Sequence, residues 1–300
     1  MDRRKFLKTT TAGAVGLSLS QLAVNNIFAQ DTYPDVAWIE NGEPVQLLKS
    51  ALEVMGGMKR FINKGDVVVV KTNIGWDRAP EFAANTNPDL VAEVVKECFK
   101  AGAKEVKIFD RTCNNKNRCY KNSQIQAKAE DAGADVSHMR KNKYKEVEIP
   151  KGEVLKSWEI YKDYLEADKV INIPIAKHHS LNFVSLGLKN LMGVMGGNRG
   201  SLHNEFFKKL VDIDSQIMPT LTIVDAYRML MANGPVGGNL ADVKTARSLI
   251  MSPCTVSADY TALKLFELDL EQVGHVNEAY KRGLNLYDLK KLNVKKIALS

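Results

Sequence analysis

Beyond about residue 65 the apolar positions fall into short runs that alternate between two periods. Val67-Val68-Val69-Val70 is an unbroken β-branched run, as expected of a strand buried on both faces of a parallel sheet. Asn87-Pro88 follows as a helix start, Asn as the cap and Pro at the first helical position. Leu90, Val91, Val94, Val95, Cys98 and Phe99 then recur at helical spacing along one face. Ala101-Gly102-Ala103 ends that helix and Lys104 to Asp110 reads as the next strand, a β-α-β unit whose crossover should be right-handed.

The alternation continues to the C-terminus. Ser123 to Asp131 is helix-like, and Lys169-Val170-Ile171-Asn172-Ile173 and Leu221-Thr222-Ile223-Val224-Asp225 are strands. Ser248 to Met251 is a strand with a helix after it, through Asp259 to Phe266. Val273 to Arg282 is helical and Val294 to Leu299 closes the chain as a strand. The pattern predicts an α/β fold, a mostly parallel sheet with helices on both faces in a three-layer sandwich. Segment 111–165 is less periodic and reads as an insertion or small subdomain.

The first 29 residues follow a different logic. Arg3-Arg4 with Lys5-Phe6-Leu7-Lys8 forms a twin-arginine export signal. A weakly apolar, uncharged stretch from Thr9 to Val24 follows it, and Ala29 is a small residue suited to cleavage. The stretch is too polar for a transmembrane helix, which needs roughly 20 mostly apolar residues. The expectation is a signal over 1–29, passage through the Tat translocase, a periplasmic location, no stable transmembrane anchor, and a single domain over 30–300.

Charge narrows the partners. The chain is +7, and residues 1–29 carry Arg3, Arg4, Lys5 and Lys8 against Asp2, so the remainder is only about +4. Nucleic acid is a poor partner for so modest an excess. The basic run Arg140 to Lys145 reads as a solvated loop. The four cysteines, Cys98, Cys113, Cys119 and Cys254, form no C-x-x-C pair, which excludes a ferredoxin-type cluster or zinc ribbon motif. Cys98 lies on the buried face of its helix. Cys113 and Cys119 flank a polar stretch and would be free to join in an oxidising compartment.

Chemistry is expected where the strands end, because ligands of open α/β sheets bind beyond their carboxyl ends. There the chain delivers Lys71-Thr72-Asn73, Asp110-Arg111, Lys177-His178-His179-Ser180 and Asp225. Adjacent histidines in a strand face opposite ways, whereas in a loop both can reach one ligand. Lys177, His178, His179 and Lys71 are the candidate catalytic residues. Asn73, Lys189, Asn190, Arg199, Asn233 and Gly234 are candidates for holding a substrate. His178, His179, His203, Asp110 and Asp225 are of types that hold one divalent Zn, Fe or Mn, although the spacing matches no strong metal motif. Gly196-Gly197 beside Arg199 can form a backbone nest for an anion, and the Asn233 to Asn239 loop a wall of the same pocket. No dinucleotide fingerprint or Walker motif is present.

These segments together resemble one family. They are Gly65 to Asn73, Thr86-Asn87-Pro88, Ala101 to Lys104, Ile171 to Ser180, Lys189-Asn190-Leu191-Met192-Gly193, His203, Leu221 to Asp225 and Asn233-Gly234-Pro235. In that order they resemble the domain of unknown function 362 family (DUF362), in particular its Tat-exported members. The resemblance implies one α/β domain. Some relatives carry an added iron–sulfur segment, for which this chain lacks the cysteines. Two departures stand out: Lys71-Thr72-Asn73 replaces a usual Lys-Pro-Asn, and in Ser252 to Asp259 only the second acidic position of the family pattern survives, as Asp259.

Two functional readings remain. One is an exported enzyme that holds a small anionic substrate with Lys71, Lys177 and Arg199, with His178 or His179 as acid–base or metal ligand. The other is a non-catalytic periplasmic binding protein for a small anion or metal.

Overall fold

A computed structural model describes residues 33–300; the signal read over 1–29 lies outside the described residues. The elements in order are β1 Val36–Glu40, α1 Pro44–Val54, β2 Val67–Lys71, α2 Pro88–Ala101, β3 Glu105–Ile108, α3 Lys116–Asn122, α4 Ile125–Asp131 and β4 Asp135–Val136. Then come β5 Tyr144–Glu148, β6 Ser157–Tyr161, α5 Lys162–Leu165, β7 Lys169–Asn172, β8 Ile175–His179, β9 Phe183–Ser185, α6 Gly187–Asn190 and α7 Phe206–Ile217. The last are β10 Leu221–Leu230, β11 Val243–Ser252, α8 Thr255–Leu263, α9 Gly274–Lys281 and β12 Val294–Ala298.

The ten-stranded sheet runs β12-β1-β11-β10-β7-β2-β3-β4, with β8 paired to β10 and β9. It is mixed and mostly parallel. β1 meets β11, β10 meets β11 and β8 meets β9 antiparallel, and the other pairings are parallel. The continuous Val run explains the centre: Val68 and Val70 pack on one face of β2, against α1, α2 and α4, and Val69 packs on the other. Helices α7, α8 and α9 cover that second face through Leu210, Ile213, Val256, Ala262, Val276 and Ala279. This is the three-layer α/β arrangement.

Helix α2 begins and ends as the sequence indicates. The Asn87 side chain accepts the Asp89 N–H, Pro88 occupies the first turn, and Gly102 takes a left-handed φ of 107° that lets its N–H reach the Phe99 carbonyl. Helix α1 and strand β1 were not predicted. Pro44 and the reciprocal Glu43/Gln46 capping box start α1, and Leu47, Leu48, Ala51 and Leu52 bury its inner face.

Segment 111–165 divides. Helices α3 and α4 lead into β4, the edge of the main sheet. Strands β5 and β6 form a separate two-stranded ribbon, so the basic run read as a loop ends inside β5. The ribbon is fastened to the domain through Ile149, Ile160 and Tyr161 in the core and by the bridge from Ile160 to Met195. Two strands are longer than expected. β10 continues five residues past Asp225, and β11 spans Val243–Ser252. Among the described residues no helix is long and apolar enough to cross a membrane.

Candidate functional site

Strands β2, β3, β7 and β8 end at one edge of the sheet, and α6 crosses above them. Lys71, the last residue of β2, is fully buried. Its Nζ lies 3.1 Å from Asp110 Oδ1, donates to the Thr72 carbonyl, and reaches Asn190 Oδ1 at 3.4 Å. Asp110 Oδ2 accepts the Ile74 N–H at 2.6 Å. Burial lowers the Lys71 pKa, and the Asp110 carboxylate pulls it back up.

A chain of amides continues from this ion pair. Asn190 Nδ2 donates to Asn172 Oδ1 at 2.8 Å, and Asn73 Nδ2 donates to Asn190 Oδ1 at 3.1 Å. Lys177 Nζ then donates to Asn73 Oδ1 at 3.3 Å and to the Ala84 carbonyl at 2.6 Å, with the Trp76 ring 5.8 Å away. Burial, with Lys189 and Lys71 nearby, lowers the Lys177 pKa to about 7. Asn172 is a polar residue inside an apolar run, and that anomaly is the signal by which the sequence marks it.

The Lys177-His178-His179 segment is strand β8, not the loop the sequence reading required for both histidines to serve one ligand. Alternation therefore separates them. Lys177 and His179 line the cavity. His178 turns away, and its Nδ1 accepts the Gly234 N–H at 3.1 Å. His179 Nδ1 accepts the Leu181 N–H at 3.2 Å, and its Nε2 lies 2.9 Å from Lys189 Nζ. Burial and the neighbouring lysines lower the His179 pKa to about 3, and burial lowers that of Lys189 to about 8.

The resulting cavity is about 380 Å³. Its walls carry Arg111, Lys177, Lys189 and Arg199, His179 and His203, and a single carboxylate, Asp110, which Lys71 already engages. Arg199 Nη1 donates to the Arg111 and Met192 carbonyls, and Arg111 Nη1 to those of Met195 and Gly197. Both guanidiniums are thus held by backbone rather than by acids. Sequence reasoning missed the parts played by Trp76, Cys113 and Asn172 and named Arg111 only as a strand end.

Several candidates are placed elsewhere. Asp225 lies in the middle of β10 and accepts the Asn87 N–H at 2.7 Å and the Tyr227 N–H at 3.2 Å, which binds β10 to the start of α2. Burial raises its pKa to about 6. Asn233 turns to Asp242, and Gly234 packs on β8, where a Cβ would lie 2.0 Å from the His178 carbonyl. Of that loop, Pro235 reaches the cavity. The five residues considered for a metal are not assembled around one point. Among the described residues no three His, Cys, Asp or Glu side chains form a ligating group. The Gly196-Gly197 nest is filled from within: Gly196 N–H bonds the Glu159 carbonyl and Gly197 N–H the Glu159 carboxylate, each at 2.7 Å. Cys113 is exposed at the cavity rim and Cys119 is buried, and both are free thiols.

A family model described as a domain of unknown function, DUF362, matches residues 68–264, which spans β2 through α8. The chain belongs to the DUF362 family. A thylakoid-associated protein of Synechocystis sp. is 26% identical over 254 residues, covering 82% of this chain and 77% of its own length. Among solved structures, the lactate racemase apoprotein from Thermoanaerobacterium thermosaccharolyticum is similar at 13% identity and a TM-score of 0.44, covering 83% of this chain. A protein from Thermotoga maritima is similar at 12% identity and a TM-score of 0.47, covering 75% of it. The chain spans 56% and 60% of those two proteins, respectively.

Proposed function

We propose that this DUF362 protein is exported to the periplasm by the Tat translocase and acts there as an enzyme on a small anionic substrate by His/Lys acid–base chemistry. One observation carries the reading: the cavity sets Lys177, Lys189, Arg111 and Arg199 around a space whose single carboxylate is already paired. Side chains so short of counter-charge, with Lys177 buried and the others half-buried, are stabilised as cations by an anion that enters between them. His179, a neutral ring, and Lys189, whose pKa burial brings down to about 8, are in contact and supply the proton donor and acceptor. The donor set favours this over metal-assisted chemistry, because a divalent cation would share the space with the Arg111 and Arg199 guanidiniums and with Lys177.

Calorimetry with small carboxylates and inorganic phosphate tests the anion site. Binding is expected, and Arg199→Ala should weaken it about 10- to 100-fold. No binding by any of them would refute the reading. Deuterium uptake from D₂O into bound carboxylates separates the two functions: exchange or turnover marks an enzyme, and tight binding without either marks a periplasmic binding protein. For the address, the double variant Arg3→Lys, Arg4→Lys should lose the periplasmic fraction of the full chain, as read by cell fractionation.

A further inference from the structure

The three lysines of the site differ in what surrounds them. Lys71 faces only acceptors, the Asp110 carboxylate, the Thr72 carbonyl and Asn190 Oδ1, which suits an ammonium. Lys177 faces two, the Ala84 carbonyl and Asn73 Oδ1. Lys189 has no carboxylate within ion-pair distance among the described residues, and its polar contact is His179 Nε2 at 2.9 Å.

The other nitrogen of that ring decides what Nε2 carries. Nδ1 accepts the Leu181 N–H at 3.2 Å, so it bears no proton. A neutral imidazole has one N–H, which must then be on Nε2. The Nε2–H therefore points at Lys189 Nζ, and a nitrogen that accepts a hydrogen bond is an amine with its lone pair, not an ammonium. The other tautomer would set an Nδ1–H against the Leu181 N–H. Lys189 Nζ also lies 5.3 Å from the centre of the Phe206 ring, a neighbour whose π face favours the charged form.

From this donor and acceptor count we infer that Lys189 Nζ is a neutral nucleophile that forms an imine with a small oxo acid, its carboxylate held by the cationic side of the cavity. The inference rests on the anion-binding reading above and adds a substrate class to it, an aldehyde or ketone that carries a carboxylate. The step balances without an oxidant or reductant. Nζ attacks the carbonyl carbon, an N–C bond forms, and the carbonyl oxygen takes up a proton. The C–O bond then breaks and the oxygen leaves as water; Nζ gives up two protons in balance, one of them to His179 Nε2 as Nε2 hands its own proton to the departing oxygen. A desolvated lysine beside other cations is the usual setting for such an amine. The groups that face it are Arg199 and Lys177, which favour the neutral form, Cys113, which opposes it, and the neutral rings of His179 and His275.

The test uses the full chain with pyruvate and glyoxylate in the presence of cyanoborohydride, which reduces an imine to a stable amine. Intact mass should show one adduct per chain, and peptide mapping should place it on Lys189. The rate should climb through about pH 8 as the amine loses its proton. Lys189→Met, which keeps the length and the neutrality of the side chain and cannot form the imine, should abolish the adduct while retaining a wild-type thermal melt. His179→Gln should slow it about 100-fold. Acetaldehyde, which lacks the carboxylate, should label far more slowly. An adduct on Lys177 or on surface lysines alone overturns the proposal. So does pyruvate binding by calorimetry without any adduct, an outcome that leaves the anion reading intact. Equal labelling of Lys189 by acetaldehyde overturns the substrate class.

Discussion

Lys71, Lys177 and Lys189 bring the same side chain into one pocket, and the acceptors around each decide its charge. The Lys71–Asp110 pair is the strictest of these arrangements, because both groups are buried and Gly193 presses against them. A Cβ on residue 193 would lie 1.8 Å from Asp110 Oδ1 and 2.6 Å from Lys71 Nζ. Gly193→Ala should therefore cost about 1–3 kcal/mol by overpacking, read by urea unfolding. Asp110→Asn should cost more, about 3–5 kcal/mol, since it leaves a buried ammonium without its counter-charge. The double variant Lys71→Met, Asp110→Leu should recover much of that loss, and if it is no more stable than Asp110→Asn the charge argument fails. At this scale the sequence was informative about residue type and poor about direction. Lys71, Asn73, Asp110, Lys177, His179, Lys189, Asn190, Arg199 and His203 converge on one site. His178 and Asp225, equally polar on paper, are turned to backbone N–H groups by strand alternation and strand length.

The short helix α6 carries Lys189 and Asn190, and its first turn is fixed from outside. Asp259 Oδ1 accepts the Gly187 N–H at 2.7 Å and Oδ2 the Leu188 N–H at 2.9 Å, across 72 and 71 residues of sequence. Asp259 is thus a positioning residue. Asp259→Ala should lower stability by about 1–2 kcal/mol through loss of the cap. It should also weaken anion binding, because Lys189 and Asn190 lose their anchor, and Asp259→Asn should lie between. A stability loss with unchanged binding would confine Asp259 to folding. Elements were legible where one local signal sufficed. The Val67 to Val70 run and the Asn87-Pro88 start needed no partner to be read. β8 was not, since Lys177-His178-His179 becomes a strand only by pairing with β10 and β9. β1 sits between β12 and β11, partners more than 200 residues away, and nothing local marks that place.

For the whole molecule, the buried ionisable groups fix how stability depends on pH. Asp225 and Asp259 have folded pKa values raised by burial to about 6 and about 7, from 3.8. Their contribution is fully present below 3.8 and is lost as pH rises through the folded values. His179 and His275 act oppositely, lowered by burial to about 3 from 6.5, so the acid side is largely offset. Above neutrality the lowered lysines outnumber the group that opposes them, Asp214, whose carboxyl burial raises well above its ordinary value. Lys177 and Lys189 are lowered to about 7 and about 8 from 10.5, so the unfolded chain binds protons there that the folded chain has shed. Stability must rise with pH in that window, by about 1 kcal/mol per pH unit for each fully linked lysine. The rise ends as the unfolded chain begins to lose protons that buried Tyr120 and Cys98, both raised by desolvation, retain in the fold. Urea midpoints should accordingly increase from about pH 7 to about pH 9, an interval in which most proteins gain nothing. Lys177→Met should flatten the curve, chiefly by raising its neutral end. A bound anion should do the same, since it restores counter-charge to the amines where they are protonated. An unchanged slope in Lys177→Met would mean that this amine keeps its proton in the fold, and the cavity would then hold more positive charge than its hydrogen bonds imply.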